Sequence, residues 1–344
     1  MQLGLFLNTH GVTNRDDHDW WHQEMDADEM RPIESAQLAE RLGYHSVWLG
    51  DHIALPAKSP ESNNKHGADR KRHYVEYPNI LDGAVVLGAI AANTSRIKMG
   101  PSVLVSPYRH PLSDARQYMT VDFLSNGRLI MGVGSGWMKE EFEALGHGYF
   151  EQRLQVLDEC MQIYDKAWTE GVVTFHGHFF DFDNVSVFPL PGRKPRPPLV
   201  VGAMTMGGAR LAARRGDGVF PLLTFSFSKP HDHDHLIEEV KREAMKLGRD
   251  TAEIALLGLT SFRISKNDDP EAMRQPRWNL GGTAEQILED LQGYADAGYS
   301  LMAMAPICPS RTFAEFKEQT EWFGREVIPE ALKIKVKGDW KTDL

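Results

Sequence analysis

The sequence predicts the α/β class and, within it, a (β/α)8 TIM barrel with insertion loops. Three observations point there. Short apolar stretches alternate with helix-period segments along the whole chain, eight times in all. The strand stretches are apolar along their length, as in a parallel sheet covered by helices. The chain of 344 residues is long for one doubly wound unit and typical of a barrel with insertions. Residues 1–344 therefore read as one domain, with a β-hairpin excursion near 172–188.

The elements follow in order. Leu3 to Leu7 is the first strand. Asn8 to Asp28 is a polar loop too long for a mere connection, so it is expected to wall or cover a site. Glu29 to Leu42 is a helix with Gly43 as its C-cap. Ser46 to Leu49 is the second strand and delivers Gly50-Asp51-His52. A second long polar loop runs from Ile53 to Pro78, and Ile80 to Ala92 is a helix. Ile97 to Val105 is the third strand; Pro107 ends it and Pro111 opens the next helix. After the turn signal Asn126-Gly127, Arg128 to Val133 is the fourth strand and runs into Gly134-Ser135-Gly136. Lys139 to Leu145 is a helical turn and Phe150 to Trp168 a helix. Val172 to Val187 alternates and contains Gly177, which predicts the hairpin; the proline-rich stretch 189–198 is a stiff connector. Leu199 to Val201, Gly218 to Leu222, Ile254 to Ile264 and Tyr299 to Met304 are strands five to eight. Their helices are Ala209 to Arg215, Leu236 to Leu247 and Thr283 to Ala297, with Thr283 and Gln286 spaced for a capping box. Phe313 to Val327 is the last helix.

Composition excludes several classes. With 38 Lys and Arg against 48 Asp and Glu, the net charge is −10, which argues against a nucleic-acid or anionic-membrane partner. No apolar run reaches a bilayer span, and the first residues lack the charged and apolar regions of a secretion signal. The 2 cysteines, Cys160 and Cys308, lie far apart, which suits a reducing cytoplasm.

In such barrels ligands bind at the C-terminal strand ends. Those ends carry small or polar residues here: Asp51-His52, Pro101-Ser102 and Gly134-Ser135-Gly136. Small residues let a flat ligand lie close to the backbone. His52 can donate, accept or anchor; alone it reads better as a structural histidine, and its place beside Ser102 and Ser135 strengthens the functional reading. Thr205 to Gly208, between a strand and a helix, reads equally as a phosphate cradle or an ordinary tight turn. Arg109, His110 and Arg153 are cations that either meet a phosphate or flavin or pair on the surface. No Walker A sequence, no helix-opening G-x-G-x-x-G and no nucleophile elbow occurs. His18 and His22 lack a third ligand nearby. His231, His233 and His235 alternate with aspartates at a helix start, which reads as a solvated N-terminus before a zinc site, so no metal is assigned. A metal-dependent barrel hydrolase would need several ligands at strand ends, where only Asp51-His52 qualify.

Five motifs, in this order and spacing, resemble one family. They are Gly43 to His52 (GYHSVWLGDH), Pro101-Ser102-Val103-Leu104 with Tyr108-Arg109-His110-Pro111, Ser125 to Leu129 (SNGRL), Gly132 to Trp137 (GVGSGW), and Arg215-Gly216-Asp217-Gly218. Together they resemble the bacterial luciferase-like flavin monooxygenases, a superfamily that also holds deazaflavin (coenzyme F420) oxidoreductases. The resemblance implies a flavin-dependent enzyme with its cofactor at the C-terminal mouth. It implies a non-prolyl cis peptide around Ser102-Val103, forming a bulge under the isoalloxazine ring. His52 matches the active-site histidine of the relatives and is the catalytic candidate. The implied cofactor contacts are Asp51, Ser102, Val103, Ser135, Gly136, Arg153, Gly202, Thr205, Gly207 and Gly208, the last three of these with the phosphate end. Trp20 and Trp137, with Trp21, Tyr74 and Tyr77, are candidates for the substrate wall.

The activity so implied is a two-component monooxygenase. A separate flavin reductase supplies reduced FMN, O2 adds at the flavin C4a to give a peroxyflavin, and a small organic, partly apolar substrate is oxygenated. The two long loops would exclude water. The alternative is F420-dependent hydride transfer; Lys58, Lys65, Arg70, Lys71 and Arg72 would offer a basic groove to that cofactor's acidic tail. Trp137 follows Gly136 where several deazaflavin dehydrogenases carry glutamate, whereas FHGHFFDF and GWMKEEFEALG resemble F420-dependent members. A non-catalytic flavin-binding relative is a further alternative. A homodimer through helices near strands three and four is implied by the resemblance alone.

Overall fold

Each apolar strand is followed by a helix that returns the chain to the starting edge of the sheet, so the strands of the main sheet pair in parallel. A computed structural model describes residues 1–9, 25, 27–57, 79–223, 229–266, 277–308, 310 and 312–344. Along the chain run β1 (Gln2–Phe6), α1 (Pro32–Leu42), β2 (Ser46–Leu49), α2 (Gly83–Asn93), β3 (Lys98–Pro101), β4 (Leu104–Val105), α3 (Pro111–Leu124) and β5 (Met131–Gly134). Then come α4 (Lys139–Ala144), α5 (Arg153–Thr169), β6 (Val172–His176), β7 (Asp181–Ser186), β8 (Leu199–Val201), α6 (Met206–Arg215), β9 (Gly218–Val219) and α7 (Asp234–Lys246). The series ends with β10 (Ala255–Ile264), β11 (Gly281–Gly282), α8 (Ala284–Asp296), β12 (Leu301–Pro306), α9 (Phe313–Glu326) and α10 (Ile328–Ala331).

The sheet order is β3-β2-β1-β12-β10-β9-β8-β5-β4, with β11 added to β10. The ring closes ahead of β5: Met99 donates to Arg128 O at 3.1 Å and accepts from Ile130 N at 2.9 Å. The third strand is thus one strand in two pieces, β3 and β4. Between them lies the Ser102–Val103 peptide, which is cis and non-prolyl. With β3 and β4 taken together, the fold is the (β/α)8 barrel.

Side chains alternate between two cores. Trp48, Ile130, Val200, Phe220, Leu257 and Leu301 form the inner cluster, with Trp48 and Phe220 edge to face at 5.1 Å. Val47 and Leu49, one step away on β2, belong to the outer cluster against the helices. At the N-terminal ends of the strands, Leu344 packs into the inner cluster and is 2% exposed. Lys98 holds it there, bonded to Leu344 O and to Asp343 Oδ1 at 3.1 Å.

Local details agree with the chemistry of the sequence. Thr283 and Gln286 cap α8 reciprocally, N–H to side chain in both directions. Asp82 caps α2, accepting from Val85 N at 2.9 Å, so that helix starts at Gly83 rather than Ile80. The hairpin β6–β7 sits against α5, where Glu159 accepts from His178 N at 2.6 Å and Phe179 N at 3.0 Å.

Candidate active site at the barrel mouth

The floor of the mouth is mostly backbone. Ser102 N donates to Leu49 O at 2.7 Å, which fixes the first half of the interrupted strand. Val103 then leans over the ends of β5 and β8. A Cβ on Gly134 would run into Val103 Cγ2, and one on Gly202 would stand 3.1 and 3.2 Å from its two methyl groups. Glycine at both positions is what admits the valine. Gly136 has φ +76°, and a Cβ there would meet Val105 Cγ1 at 2.6 Å, so a side chain is excluded twice over. Ser102, Val103, Ser135, Gly136 and Gly202 are all half-buried, forming a low shelf.

Asp51 ties that shelf together. Its carboxylate accepts Val105 N at 2.9 Å and both prongs of Arg109 at 2.8 and 2.7 Å. Arg109 also lies 3.9 Å from Asp114, which accepts from the Tyr164 hydroxyl at 2.9 Å. Burial works against the Arg109 charge, yet the bonds and charge of Asp51, with Asp114 behind, raise its pKa above the ordinary value. Burial pushes the Asp114 carboxyl up to about 7 against the pull of Arg109 and Tyr164.

Beside the shelf stands a histidine–carboxylate pair. His52 Nδ1 and Glu141 Oε2 are 2.7 Å apart, and the Trp137 ring meets the His52 ring edge-on at 6.3 Å. Burial alone would raise the Glu141 carboxyl. The His52 hydrogen bond and charge, joined by Ala54 and Ile53 N–H groups, outweigh it and hold the pKa below the usual range.

The far side is a helix start. Thr205 caps α6, its hydroxyl accepting from Gly208 N at 3.2 Å, so the helix begins at Met206, before the expected Ala209. Gly207 and Gly208 thereby fall in its first turn, whose N–H groups lack intrahelical acceptors and carry the positive end of the dipole. A Cβ on Gly207 would meet Leu154 Cδ2 at 2.8 Å, which places α5 against this turn. Arg153, next to Leu154, donates to Gly136 O at 3.1 Å and Phe150 O at 2.9 Å and stacks at 4.3 Å on the Phe150 ring. Backbone carbonyls hold this cation in place and leave its charge available to an anion. A shelf for a planar ring and a cationic helix start for a phosphate fit a flavin nucleotide.

The structure therefore gathers Ser102, Val103, Ser135, Gly136 and Gly202 on the shelf, His52 and Trp137 beside it, and Arg153, Thr205, Gly207 and Gly208 around the helix start. Trp20, Trp21, Tyr74, Tyr77, His18, His22, Lys58, Lys65, Arg70, Lys71 and Arg72 lie outside the described residues. His231 pairs with Asp234 at 3.0 Å on the surface. Among the described residues no cluster of three His, Cys, Asp or Glu is arranged to hold a metal. Sequence reasoning missed Glu141, which lies 89 residues from its partner. Its one signal was an acidic residue beside a core phenylalanine, Phe142, on a short helix.

Over residues 1–305 the chain matches the family described as luciferase-like monooxygenase. The FMNH2-dependent dimethylsulfone monooxygenase of Pseudomonas putida is 25% identical over 339 residues, 86% of this chain and 85% of that one. Among solved structures, a monooxygenase from Streptomyces bottropensis superposes with a TM-score of 0.71 at 20% identity, covering 96% of this chain and 99% of its own. An F420-dependent secondary alcohol dehydrogenase, solved with an F420-acetone adduct, gives 0.72 at 18% identity, covering 96% and 98%. At such identities the two structures speak to the fold.

Proposed function

The chain belongs to the luciferase-like monooxygenase family, and from that premise we propose that it is a reduced-FMN, two-component monooxygenase acting on a small organic, partly apolar substrate. The observation that supports this most is the pairing, at one mouth, of the Val103 shelf with the α6 start and Arg153. Bound there, reduced FMN would supply the two electrons with which O2 gives one oxygen atom to the substrate and the other to water. Thr205, Gly207, Gly208 and Arg153 bind the phosphate end, while Ser102, Val103, Ser135, Gly136 and Gly202 bear the ring. Asp51 keeps the shelf in register through Val105 and Arg109. His52 handles a proton beside the ring, and Trp137 offers the substrate an apolar wall. A separate flavin reductase supplies the cofactor. The buried, unbridged Cys160 and Cys308 suit a reducing cytoplasm; no described helix is long and apolar enough to cross a membrane.

Coenzyme F420 is the second reading, because the shelf addresses a tricyclic ring that both cofactors share and leaves their tails to separate contacts. Fluorescence titration with FMN and F420, oxidised and reduced, decides between them. Micromolar or tighter reduced-FMN binding followed by oxygen consumption is the expected result. F420 binding with FMN ignored would replace monooxygenation by hydride transfer, and binding of neither would remove the flavin reading.

The assembly we propose is a homodimer through α2 and α3. The α2 sequence, GAVVLGAIAAN, is apolar around its circumference, and Val85, Phe123 and Leu124 are 72%, 58% and 56% exposed. Light scattering should give twice the 38.8 kDa chain mass, and Phe123→Glu should return the single chain mass.

A further inference from the structure

Glu141, like Asp51, accepts three hydrogen bonds at the mouth. It is 0% exposed. Its Oε1 accepts Ile53 N at 2.5 Å and Ala54 N at 2.9 Å, and its Oε2 meets His52 Nδ1 at 2.7 Å. Three consecutive residues leaving β2 are thus fastened to one side chain of α4. Two backbone bonds would suffice to anchor the chain; the third is made to the imidazole.

We infer that Glu141 is a positioning residue that fixes His52 as the tautomer protonated on Nδ1, making Nε2 the nitrogen that takes up a proton during turnover. The role in turnover rests on the monooxygenase reading; the tautomer does not. An ionised carboxylate has only lone pairs to offer, so its partner Nδ1 carries the hydrogen. Neutral His52 then presents a lone pair on Nε2, and on protonation its positive charge lies against a buried anion already in place. Among the described residues, Asp51 pairs with Arg109 at 2.7 Å and, on α4, Lys139 with Glu143 at 3.4 Å.

Glu141→Gln is the test. The glutamine carbonyl keeps the Ile53 and Ala54 bonds and turns an NH2 group towards Nδ1, so the imidazole must move its hydrogen to Nε2. Nitrogen-15 NMR of the flavin-free protein, with His52 assigned by its loss in His52→Ala, reads this directly. The expected result is an Nδ1–H imidazole in the wild type and an Nε2–H imidazole in Glu141→Gln, with the His52 titration moved down by a unit or more. Glu141→Asp, which keeps the anion, should retain Nδ1–H. In stopped-flow reoxidation of enzyme-bound reduced FMN, the pH at half-maximal rate should move with the NMR titration. An Nε2–H imidazole in the wild type overturns the proposal. So does an unchanged tautomer and titration in Glu141→Gln. If Glu141→Gln fails to fold, loss of Nδ1–H in Glu141→Asp overturns it and retention supports it. Failure of FMN to bind leaves the NMR result standing and falls on the functional reading alone.

Discussion

The two ends of the barrel are built by opposite means. At the N-terminal ends of the strands, side chains fill the space: Leu344 enters the inner cluster and Lys98, Asp343 and His45 gather around it. At the C-terminal ends, backbone and one valine make the surface, and polar side chains stand around it. On the proposed function the contrast sets stability at one end and ligand chemistry at the other, as barrels in general allow. The exception is the Asp51–Arg109–Asp114 network, a buried structural device at the mouth.

That exception gives the sharpest way to break the contrast. Arg109→Met leaves Asp51 and Asp114 without their cation and should cost about 3–5 kcal/mol in urea unfolding. Adding Asp51→Asn should recover much of it. A cost under about 1 kcal/mol would mean that the mouth contributes nothing to stability there. Leu344→Ala tests the opposite end: a loss of about 2–4 kcal/mol is expected with the FMN dissociation constant unchanged. A shift in FMN binding would show the two ends to be coupled.

His45 extends the test to pH. Burial, and next the Lys98 charge, pull its imidazole down to about 3, with Asp343 opposing. Below pH 6.5 the unfolded chain takes up a proton that the folded chain refuses, so stability falls as pH drops from 6.5 towards 3. The slope approaches about 1.4 kcal/mol per pH unit. His45→Phe should flatten that part of the curve and leave FMN affinity alone. The smallest stability effect belongs to Gly202→Ala. Its added methyl presses on Val103 at 3.1 Å, so FMN affinity should fall about tenfold while stability changes by about 1 kcal/mol or less. Equal losses in both would place Gly202 with the structural residues.

Much of this was legible in the sequence. Each expected strand stretch holds an observed strand, Ser46–Leu49 and Leu199–Val201 with the same bounds and the others shifted, shortened or split, because apolar runs bounded by Gly and Pro mark a strand's place better than its ends. Thr283 and Gln286 state their capping box in a local pattern. The shelf residues were legible through motif order. What was hidden depends on distance in the chain. Nothing near Arg109 announces that its carboxylates are Asp51 and Asp114, and nothing near Glu141 points to His52. The start of α6 was misplaced for a local reason: glycines at 207 and 208 read as loop, yet the Thr205 cap draws both into the helix.

The shelf itself sets how this site can change under selection. The nearest contacts of a Cβ at Gly134 and at Gly202 both end on Val103. The height of the floor is therefore governed from one codon: Val103→Ala lowers it and Val103→Ile raises it, with the glycines unaltered. His52, the proposed proton carrier, and the α6 start lie on other elements. On the proposed function, ring tilt, proton traffic and cofactor charge can thus be inherited, lost or exchanged separately. A lineage exploring new substrates from this chain need not rebuild the platform to do so.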